Sequence, residues 1–149
     1  MRRLIPFLLL LCVLLPACAG DGLKTLRLKD ARYHVELAVD PASRTRGLMF
    51  RDSMPKDHGM LFVFPYNERQ AFWMKNTRIP LDILYFDDEG RFVSASYRTP
   101  PCGAGDRCPS YPSSARARYV LELNAGVGEA LALAPGDRLE LPSDLPPAR

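Results

Sequence analysis

Residues 72–90 read FWMKNTRIPLDILYFDDEG and contain two strand-like runs separated by a proline bend. The first run, residues 71–77, and the second, residues 83–86, are rich in the aromatic and aliphatic side chains that suit strands. The acidic segment 87–90 ends in glycine, which supplies the positive φ that a tight hairpin turn needs. The stretch therefore predicts a strand, a bend, and a hairpin whose second strand covers residues 91–96.

Side chains alternate between the two faces of a strand, and this alternation divides residues 71–77 into two sets. Phe72 and Met74 form the more apolar set, so we expect them to face the core. Trp73 and Lys75 share the other face, where the indole would form an aromatic wall with a cation at its edge. This pair is the first candidate for a binding surface.

The segment before this stretch predicts two strands followed by a helix. Residues 24–39 have apolar side chains at every second position on either side of Asp30, as expected of two half-buried strands joined by a tight turn. Asp40 followed by Pro41 indicates a helix start, because aspartate caps free N–H groups and proline fits the first turn. We expect a short helix that ends at about Met49.

The remaining elements are strands with one more helix. Residues 60–64 are apolar at every position and predict a strand covered on both faces, broken at residues 65–68. Residues 119–123 predict a further strand. Asn124 begins a predicted second helix, residues 124–133, and residues 138–141 form the last predicted strand.

Together these elements predict a mainly β fold, a small barrel-like sheet, mixed or antiparallel, with two short helices. About seven or eight short strands would form a single domain over residues 26–141, since a chain of this size can bury one modest core. Residues 19–25 are predicted to be a linker, and the proline-rich residues 142–149 a flexible tail.

The first 18 residues have the order of a secretory signal peptide: a positive start, an apolar run and then small residues. The apolar run is about a dozen residues, short of the ~20 that a transmembrane helix needs. Two cleavage sites stay open. Cleavage before Cys18, in a segment that resembles a bacterial lipobox, would leave a lipid-bearing cysteine, whereas cleavage after Ala19 would release the protein without an anchor. We favour lipidation of Cys18, because an unmodified cysteine there would be an odd thiol in an oxidising compartment.

These features predict an exported protein of the bacterial cell envelope, located in the periplasm and tethered to a membrane by lipid. The chain has 20 Lys and Arg against 17 Asp and Glu, and 18 against 17 without Arg2 and Arg3 of the signal segment. No basic stripe interleaved with aromatic residues accompanies this balance, so we expect no nucleic-acid partner.

Cys102 and Cys108 frame a proline- and glycine-rich loop, PCGAGDRCP. A metal site would need two further ligands close by, and an oxidising compartment favours a disulfide. We predict a disulfide between them, which would add roughly 2 kcal/mol of stability in the chain-entropy model.

The familiar catalytic signatures are missing: there is no Gly-x-Ser-x-Gly elbow, phosphate loop, zinc-binding helix motif or dinucleotide fingerprint. His34 falls on the polar side of a strand and His58 in a turn, so we expect both at the surface. Asp82 and Lys75 could act as an acid/base pair if burial shifted their pKa values, but no nucleophile accompanies them. The sequence therefore does not favour catalysis, and it predicts no cofactor.

Several motifs occur in an order that resembles the bacterial and archaeal domain-of-unknown-function family 192. They are RGLMFR (46–51), GMLFVF (59–64), the stretch at 72–90, YVLELNAG (119–126) and Gly136-Asp137. The resemblance implies a small β-rich fold with short helices, often exported behind a signal or lipid anchor. It implies no established reaction, and it does not extend to the Cys102–Cys108 loop.

We interpret one set of side chains as a groove for a small polar or anionic ligand, or for a protein of the envelope. Two cations, an aromatic plate and amide or hydroxyl donors suit a carboxylate, a sugar or a peptide terminus. The predicted ligand-binding residues are Arg51, Trp73, Lys75, Asn76, Thr77 and Asp82.

Two alternatives stay open beside this interpretation. In the first, the motif is purely structural: Asn76 and Asp82 satisfy buried backbone groups, and Arg51 pairs with Asp82. In the second, thioethers bind Cu(I), as soft ligands do, although methionine in an apolar strand is more often a core residue. The residues of that copper hypothesis are Met49, Met54, Met60, Met74, Trp73 and His58.

Overall fold

The computed structural model describes residues 22–103, 105 and 107–149, so the predicted signal segment 1–18, its Cys18 and the first part of the linker lie outside the described residues. The strands are β1 (Lys24–Leu28), β2 (Ala31–Ala38), β3 (His58–Trp73), β4 (Leu81–Phe86), β5 (Phe92–Thr99), β6 (Ser110–Asn124) and β7 (Leu139–Glu140). The helices are α1 (Pro41–Arg46) and α2 (Val127–Ala130). The predicted mainly β fold with two short helices is confirmed.

The strands form one seven-stranded sheet in the order β5-β4-β6-β3-β2-β1-β7, curled into a half-barrel. Neighbouring strands are antiparallel except β2 and β3, which run parallel, so the sheet is mixed. The two outer strands approach each other where Arg91 bridges Arg138. There the Phe92 N–H donates to the Asp137 carbonyl at 2.9 Å, which gives the half-barrel its partial closure.

Both faces of the central strands are buried, and every residue of β4 is covered. On one face, the buried cluster joins β1, β2 and β7 to the centre and includes Leu26, Tyr33, Leu61, Leu84, Phe86, Leu121 and Leu139. On the other face, the cluster adds the segment after α1 and includes Leu48, Met60, Phe62, Met74, Ile83, Tyr85 and Val120. The candidate site lies on this second face.

The two helices are shorter than predicted. Asp40 caps α1 as expected, accepting from the N–H groups of Ala42 and Ser43 at 3.0 Å each. The helix ends at Arg46 because Gly47 takes a φ of 46°, outside the helical region. Gly126, with a φ of 85°, likewise delays the start of α2 to Val127. No helix in the part of the chain that the structure describes is long and apolar enough to span a membrane.

Strands β3 and β6 are both longer than the sequence predicted. The predicted break at residues 65–68 is absorbed as an irregularity, since the pairing of β3 with β6 shifts register between Val63 and Glu68. A bulge accommodates Pro65, which has no N–H to donate to the ladder. β6 begins at Ser110, well before the predicted residues 119–123, and pairs with β3 on one side and β4 on the other.

The C-terminal segment, residues 142–149, contacts the rest of the domain. Leu145 and Ala148 pack against the first core cluster. The Arg149 N–H donates to the Val39 carbonyl at 2.7 Å, and Asp144 forms an ion pair with Lys24. Apolar side chains spaced along this segment therefore hold it on the domain.

Asp82 lies on the face of β4 opposite Ile83 and joins two neighbouring elements. One carboxylate oxygen accepts from the Arg98 N–H at 2.8 Å and the other from the Glu129 N–H at 2.9 Å. Arg98 belongs to an irregular end of β5 with a φ of 49°, and Glu129 lies in α2, whose own N-cap is a glycine without a side-chain cap. Asp82 therefore fixes the β5 bulge and caps α2 from a neighbouring strand.

Replacing Gly59 with alanine is expected to destabilise the fold by about 3 kcal/mol, because overpacking a buried strand forces neighbouring backbone apart. A Cβ there would overlap the Glu122 carbonyl oxygen and lie 2.8 Å from Leu123 Cδ2. Urea unfolding measures the loss. In the control Gly136→Ala, where the added Cβ meets open space at a φ of 101°, only backbone strain of about 1–2 kcal/mol is expected. Equal losses in the two variants would contradict the steric explanation.

Asp82→Ala is expected to cost about 2–4 kcal/mol in the free energy of unfolding, because it leaves two N–H groups without their acceptor. The matched control is Asp52→Ala, whose carboxylate is exposed and pairs with Arg78. That control should change stability by less than about 1 kcal/mol. A loss for Asp82→Ala no larger than the control's would show that the two hydrogen bonds are not needed.

Candidate functional site

A pocket of about 360 Å³ opens on the second face of the sheet, between α1 and the end of β3. This volume falls in the range of small-molecule sites. Its walls come from the α1 segment, from β3 and the turn after it, and from one residue of β6. We call it the Trp73 pocket, and the residues that matter for its chemistry are Arg44, Phe62, Phe72, Trp73, Lys75 and Glu122.

The entrance of the Trp73 pocket carries an indole and a cation. Trp73 is the last residue of β3 and is 49% exposed, an unusual exposure for so large an apolar side chain. The Lys75 Nζ lies 5.3 Å from the centroid of its ring, within the distance for a cation–π contact. The side chains predicted to form an aromatic wall with a cation at its edge are therefore in contact.

Aromatic rings form the wall. Phe72 packs edge-on against Phe62, Phe64 and Tyr85, with ring centroids 4.8, 6.2 and 6.0 Å away. The Arg44 guanidinium covers the Phe64 ring at 5.4 Å. It also donates to the carbonyl of Val63 at 3.0 Å, which holds this part of the wall in place.

Glu122 is the acidic residue of the Trp73 pocket. It lies in β6 between Met60 of β3 and Ile83 of β4, and it is only 4% exposed. No ion pair or hydrogen bond to its carboxyl group is formed within the described ranges, and its oxygens are not among the fully buried atoms, so they open onto the pocket. Burial raises the pKa of Glu122 to about 8, so the group carries a proton at neutral pH.

Tyr85 is the ionisable group next to this acid on β4. Its hydroxyl donates to the Tyr111 carbonyl at 2.5 Å, so it is already satisfied. Burial, together with the charge that Glu122 can acquire, raises the pKa of Tyr85 above its usual value. Tyr85 therefore stays neutral, and its hydroxyl proton is donated to Tyr111 rather than to Glu122.

Thr77 and Asn76 take different positions after β3. Thr77 is buried and lines the Trp73 pocket, and its N–H donates to the Met74 carbonyl at 2.9 Å to close the turn. Asn76 has a φ of 57°, a left-handed conformation that asparagine tolerates. Its carbonyl accepts from the Phe50 N–H at 2.8 Å, and its side chain lies in a neighbouring hollow lined by Phe50 and Arg78.

Arg51 and Asp82 do not line the Trp73 pocket. Arg51 contacts Glu36 through both guanidinium nitrogens, at 2.6 Å each, so the predicted pairing of Arg51 with Asp82 is wrong. Asp82 lies on the opposite face of the sheet, where backbone N–H groups occupy both oxygens. Of the six predicted ligand-binding residues, the structure gathers Trp73, Lys75 and Thr77 around one pocket.

The predicted disulfide is present between Cys102 and Cys108, with their Cα atoms 5.8 Å apart. Cys102 forms isolated backbone bridges with both Lys75 and Thr77. The disulfide loop therefore contacts the turn that carries the predicted binding residues. The family resemblance did not extend to this loop. The loop nevertheless supports the turn at the pocket entrance.

Two methionines of the copper hypothesis are part of the hydrophobic core. Met60 and Met74 lie in the second core cluster, and the Met74 sulfur accepts from the Thr99 hydroxyl at 3.3 Å. His58 contacts Asp57 at 2.9 Å and lies near His34, with ring centroids 5.6 Å apart. Among the residues that the structure describes, no group of three or more His, Cys, Asp or Glu side chains could hold a metal ion.

Sequence reasoning missed Glu122, Arg44 and the phenylalanines of the wall. The only signal for Glu122 was an acidic side chain inside the apolar run YVLELN, on the same face as Val120. Alternation alone assigns such a residue to a solvated face. Only the burial of both faces of β6 turns it into an interior acid.

Comparisons with known proteins agree with this fold. Residues 24–141 match the family DUF192, described as an uncharacterized ACR. A solved structure from Sinorhizobium meliloti 1021, described as a "putative transcription regulator", is 40% identical, with a TM-score of 0.69, and the match covers 78% of this chain and 89% of that one. That description applies to the Sinorhizobium protein.

A protein of unknown function from Novosphingobium aromaticivorans DSM 12444 is 29% identical, with a TM-score of 0.73, and the match covers 83% of this chain and 89% of that one. The search of curated proteins found no match. Since the family match spans most of the chain and includes the whole sheet, this protein belongs to the domain-of-unknown-function family DUF192.

Proposed function

We propose that the domain binds a small organic anion with an apolar or aromatic body in the Trp73 pocket. The observation that carries this proposal is the Lys75 ammonium held 5.3 Å from the Trp73 ring centroid at the entrance of a pocket of about 360 Å³. The cation would bind a carboxylate, and the indole and phenylalanine rings would cover the apolar body. Burial of that body would supply most of the affinity.

The charges around the Trp73 pocket favour an anion. Lys75, Arg44 and Arg46 all line it, and Glu122 is the acidic residue among its lining side chains. Because the pKa of Glu122 is raised to about 8, that acid is mostly protonated at pH 7 and does not repel an anion. The side chains around the pocket therefore carry a net positive charge at neutral pH.

We further propose that the domain works in the cell envelope, exported by residues 1–18 and held at a membrane by lipid on Cys18. The charged, apolar and small-residue order of that segment supports export. The Cys102–Cys108 disulfide supports an oxidising compartment. A tethered domain with an open pocket suits capture of a small molecule, or of the end of an envelope peptide.

Lys75→Ala and Trp73→Ala are each expected to weaken binding of aromatic and branched carboxylates at least tenfold, because they remove the cation or its aromatic support. Ligand-induced shifts in Tm across a panel of such carboxylates measure the effect. Because both side chains lie at the entrance, the Tm without ligand should change little.

The matched control for these variants is Arg78→Ala. Arg78 also lies over an aromatic ring, 5.9 Å from the centroid of Phe50, but it lines the neighbouring hollow. It should leave the ligand-induced shifts unchanged. If Lys75→Ala and Trp73→Ala both unfold the domain, or if Arg78→Ala weakens binding as strongly as they do, the Trp73 pocket is not the binding site.

Cys18→Ala is expected to move the full-length protein from the membrane pellet to the soluble periplasmic fraction, because several acyl chains on one cysteine anchor firmly. Fractionation followed by immunoblotting measures the change. Cys12→Ala, a cysteine change within the signal segment, is the control and should leave the protein in the pellet. A Cys18→Ala protein that stays in the membrane fraction would rule out the lipid anchor.

A further inference from the structure

Glu122 is a buried acid for which the domain itself provides no partner. It is only 4% exposed, yet it lines the Trp73 pocket. Its carboxyl oxygens have no protein partner among the described residues but open onto the pocket, so a polar group bound there can reach them. The described residues around Glu122 supply no such group, because Met60 and Ile83 flank it across the sheet and the rings of Phe62 and Phe72 line the same pocket.

Three of the charged and titratable groups that line the same pocket, or adjoin it on β4, are engaged with other partners. Lys75 lies over Trp73 at the entrance. Arg44 donates to the Val63 and Arg149 carbonyls and covers Phe64, and the Tyr85 hydroxyl donates to Tyr111. Arg46 of α1 also lines the pocket, but its side chain is exposed and it forms no ion pair with Glu122 in the part of the chain that the structure describes.

We propose, resting on the proposed function, that Glu122 recognises the ammonium group of the ligand, so that the Trp73 pocket takes amino-carboxylates: an amino acid or a short peptide with a free amino terminus. The carboxylate end would lie at Lys75 and the ammonium end at Glu122, inside a wall of aromatic rings. An ammonium ion gains from both the carboxylate and the ring faces. This arrangement satisfies the acid and uses both ends of the pocket.

Recognition of an ammonium group would change the protonation state of Glu122. In the free domain, Glu122 holds its proton at pH 7, because burial raises its pKa to about 8. An ammonium ion favours the ionised carboxylate, so binding at pH 7 should be accompanied by release of a proton. Affinity for an amine-bearing ligand should therefore rise as the pH increases toward 8, and should level off above it until the amine loses its own proton.

The test is titration calorimetry at pH 7 in buffers of different ionisation enthalpy, with two matched pairs of probes. Phenylalanine is compared with 3-phenylpropionate, which lacks the amine. Glycyl-phenylalanine, whose amine lies farther from its carboxylate, is compared with N-acetylphenylalanine. In at least one pair, we expect the amine-bearing member to bind at least ten times more tightly than its partner. Its binding should release a proton, whereas binding of the partner should not.

Two variants assign the effect to residues. Glu122→Gln keeps the shape of the side chain but cannot ionise, so it should abolish both the preference for the amine and the proton release. Lys75→Ala should weaken both members of a pair by the same factor. The two variants therefore distinguish the ammonium end of the ligand, assigned to Glu122, from the carboxylate end, assigned to Lys75.

A stability measurement tests whether Glu122→Gln folds. Burial raises the pKa of Glu122 from the ordinary glutamate value of 4.5, which we take for the unfolded chain, to about 8 in the folded domain. The unfolded chain therefore loses this proton first, and wild-type stability should fall as the pH rises from 4.5 to 8 and then level off. The glutamine variant should lack this component of the fall and keep a cooperative unfolding transition.

The outcomes separate the two proposals. If the wild type binds 3-phenylpropionate in a Lys75-dependent way but shows no preference for either amine, or if Glu122→Gln keeps the preference, the ammonium role is wrong and the anion-binding function stands. If none of the four probes binds, or if Lys75→Ala changes nothing, the proposed function fails and the inference fails with it.

Discussion

The double pairing of β6 is the constraint on which the rest of the structure depends. β6 pairs with β3 along one edge and with β4 along the other, and side chains cover it on both faces. In the second half of the strand, Ala117 and residues 119–123 are all buried, and the apolar side chains among them divide between the two core clusters. Glu122 is therefore placed in the interior by the topology, and its carboxyl group has only the Trp73 pocket to reach.

An interior acid without a partner costs stability, and the domain retains it. Placing a neutral side chain of similar volume there would remove the cost of ionising a carboxyl group in an apolar setting. Sequences tend to break the rules of stable packing where a site needs it, and perturbed acids occur often in such places. Asp82 shows the contrast: it is equally buried, but backbone N–H groups occupy both of its oxygens, so its role in the fold is accounted for.

Local features of the fold could be predicted from the sequence, whereas long-range pairings could not. Alternation identified β1 and β2, Asp40 and Pro41 marked the start of α1, and the spacing of two cysteines indicated the disulfide, because each of these signals acts over a few residues. The first half of β6 lacks apolar alternation and forms a strand because β3 supplies its hydrogen-bond partners from more than 30 residues away.

The same distinction explains which site residues were found. Trp73, Lys75 and Thr77 share a short segment, so their common location followed from local geometry. Arg51 and Asp82 were joined by complementary charge alone, and charge does not specify which of several carboxylates lies nearest. The actual partner of Arg51 is Glu36, on β2, whose position depends on the parallel pairing of β2 with β3. Glu122 was not found because its interior position depends on the burial of both faces of β6, which no local sequence pattern reports.

The entrance of the Trp73 pocket is ordered before any ligand arrives, and this bears on how it can bind. A hydrogen bond from the Thr77 N–H to the Met74 carbonyl closes the turn after β3. A second, from the Phe50 N–H to the Asn76 carbonyl, joins the turn to the segment that follows α1, and a backbone bridge joins it to the disulfide loop at Cys102. Each contact removes conformational freedom from the segment that carries Lys75. A ligand therefore need not order this turn, which is otherwise a main entropic cost of association. For that reason the entrance would need little rearrangement to bind the proposed ligand.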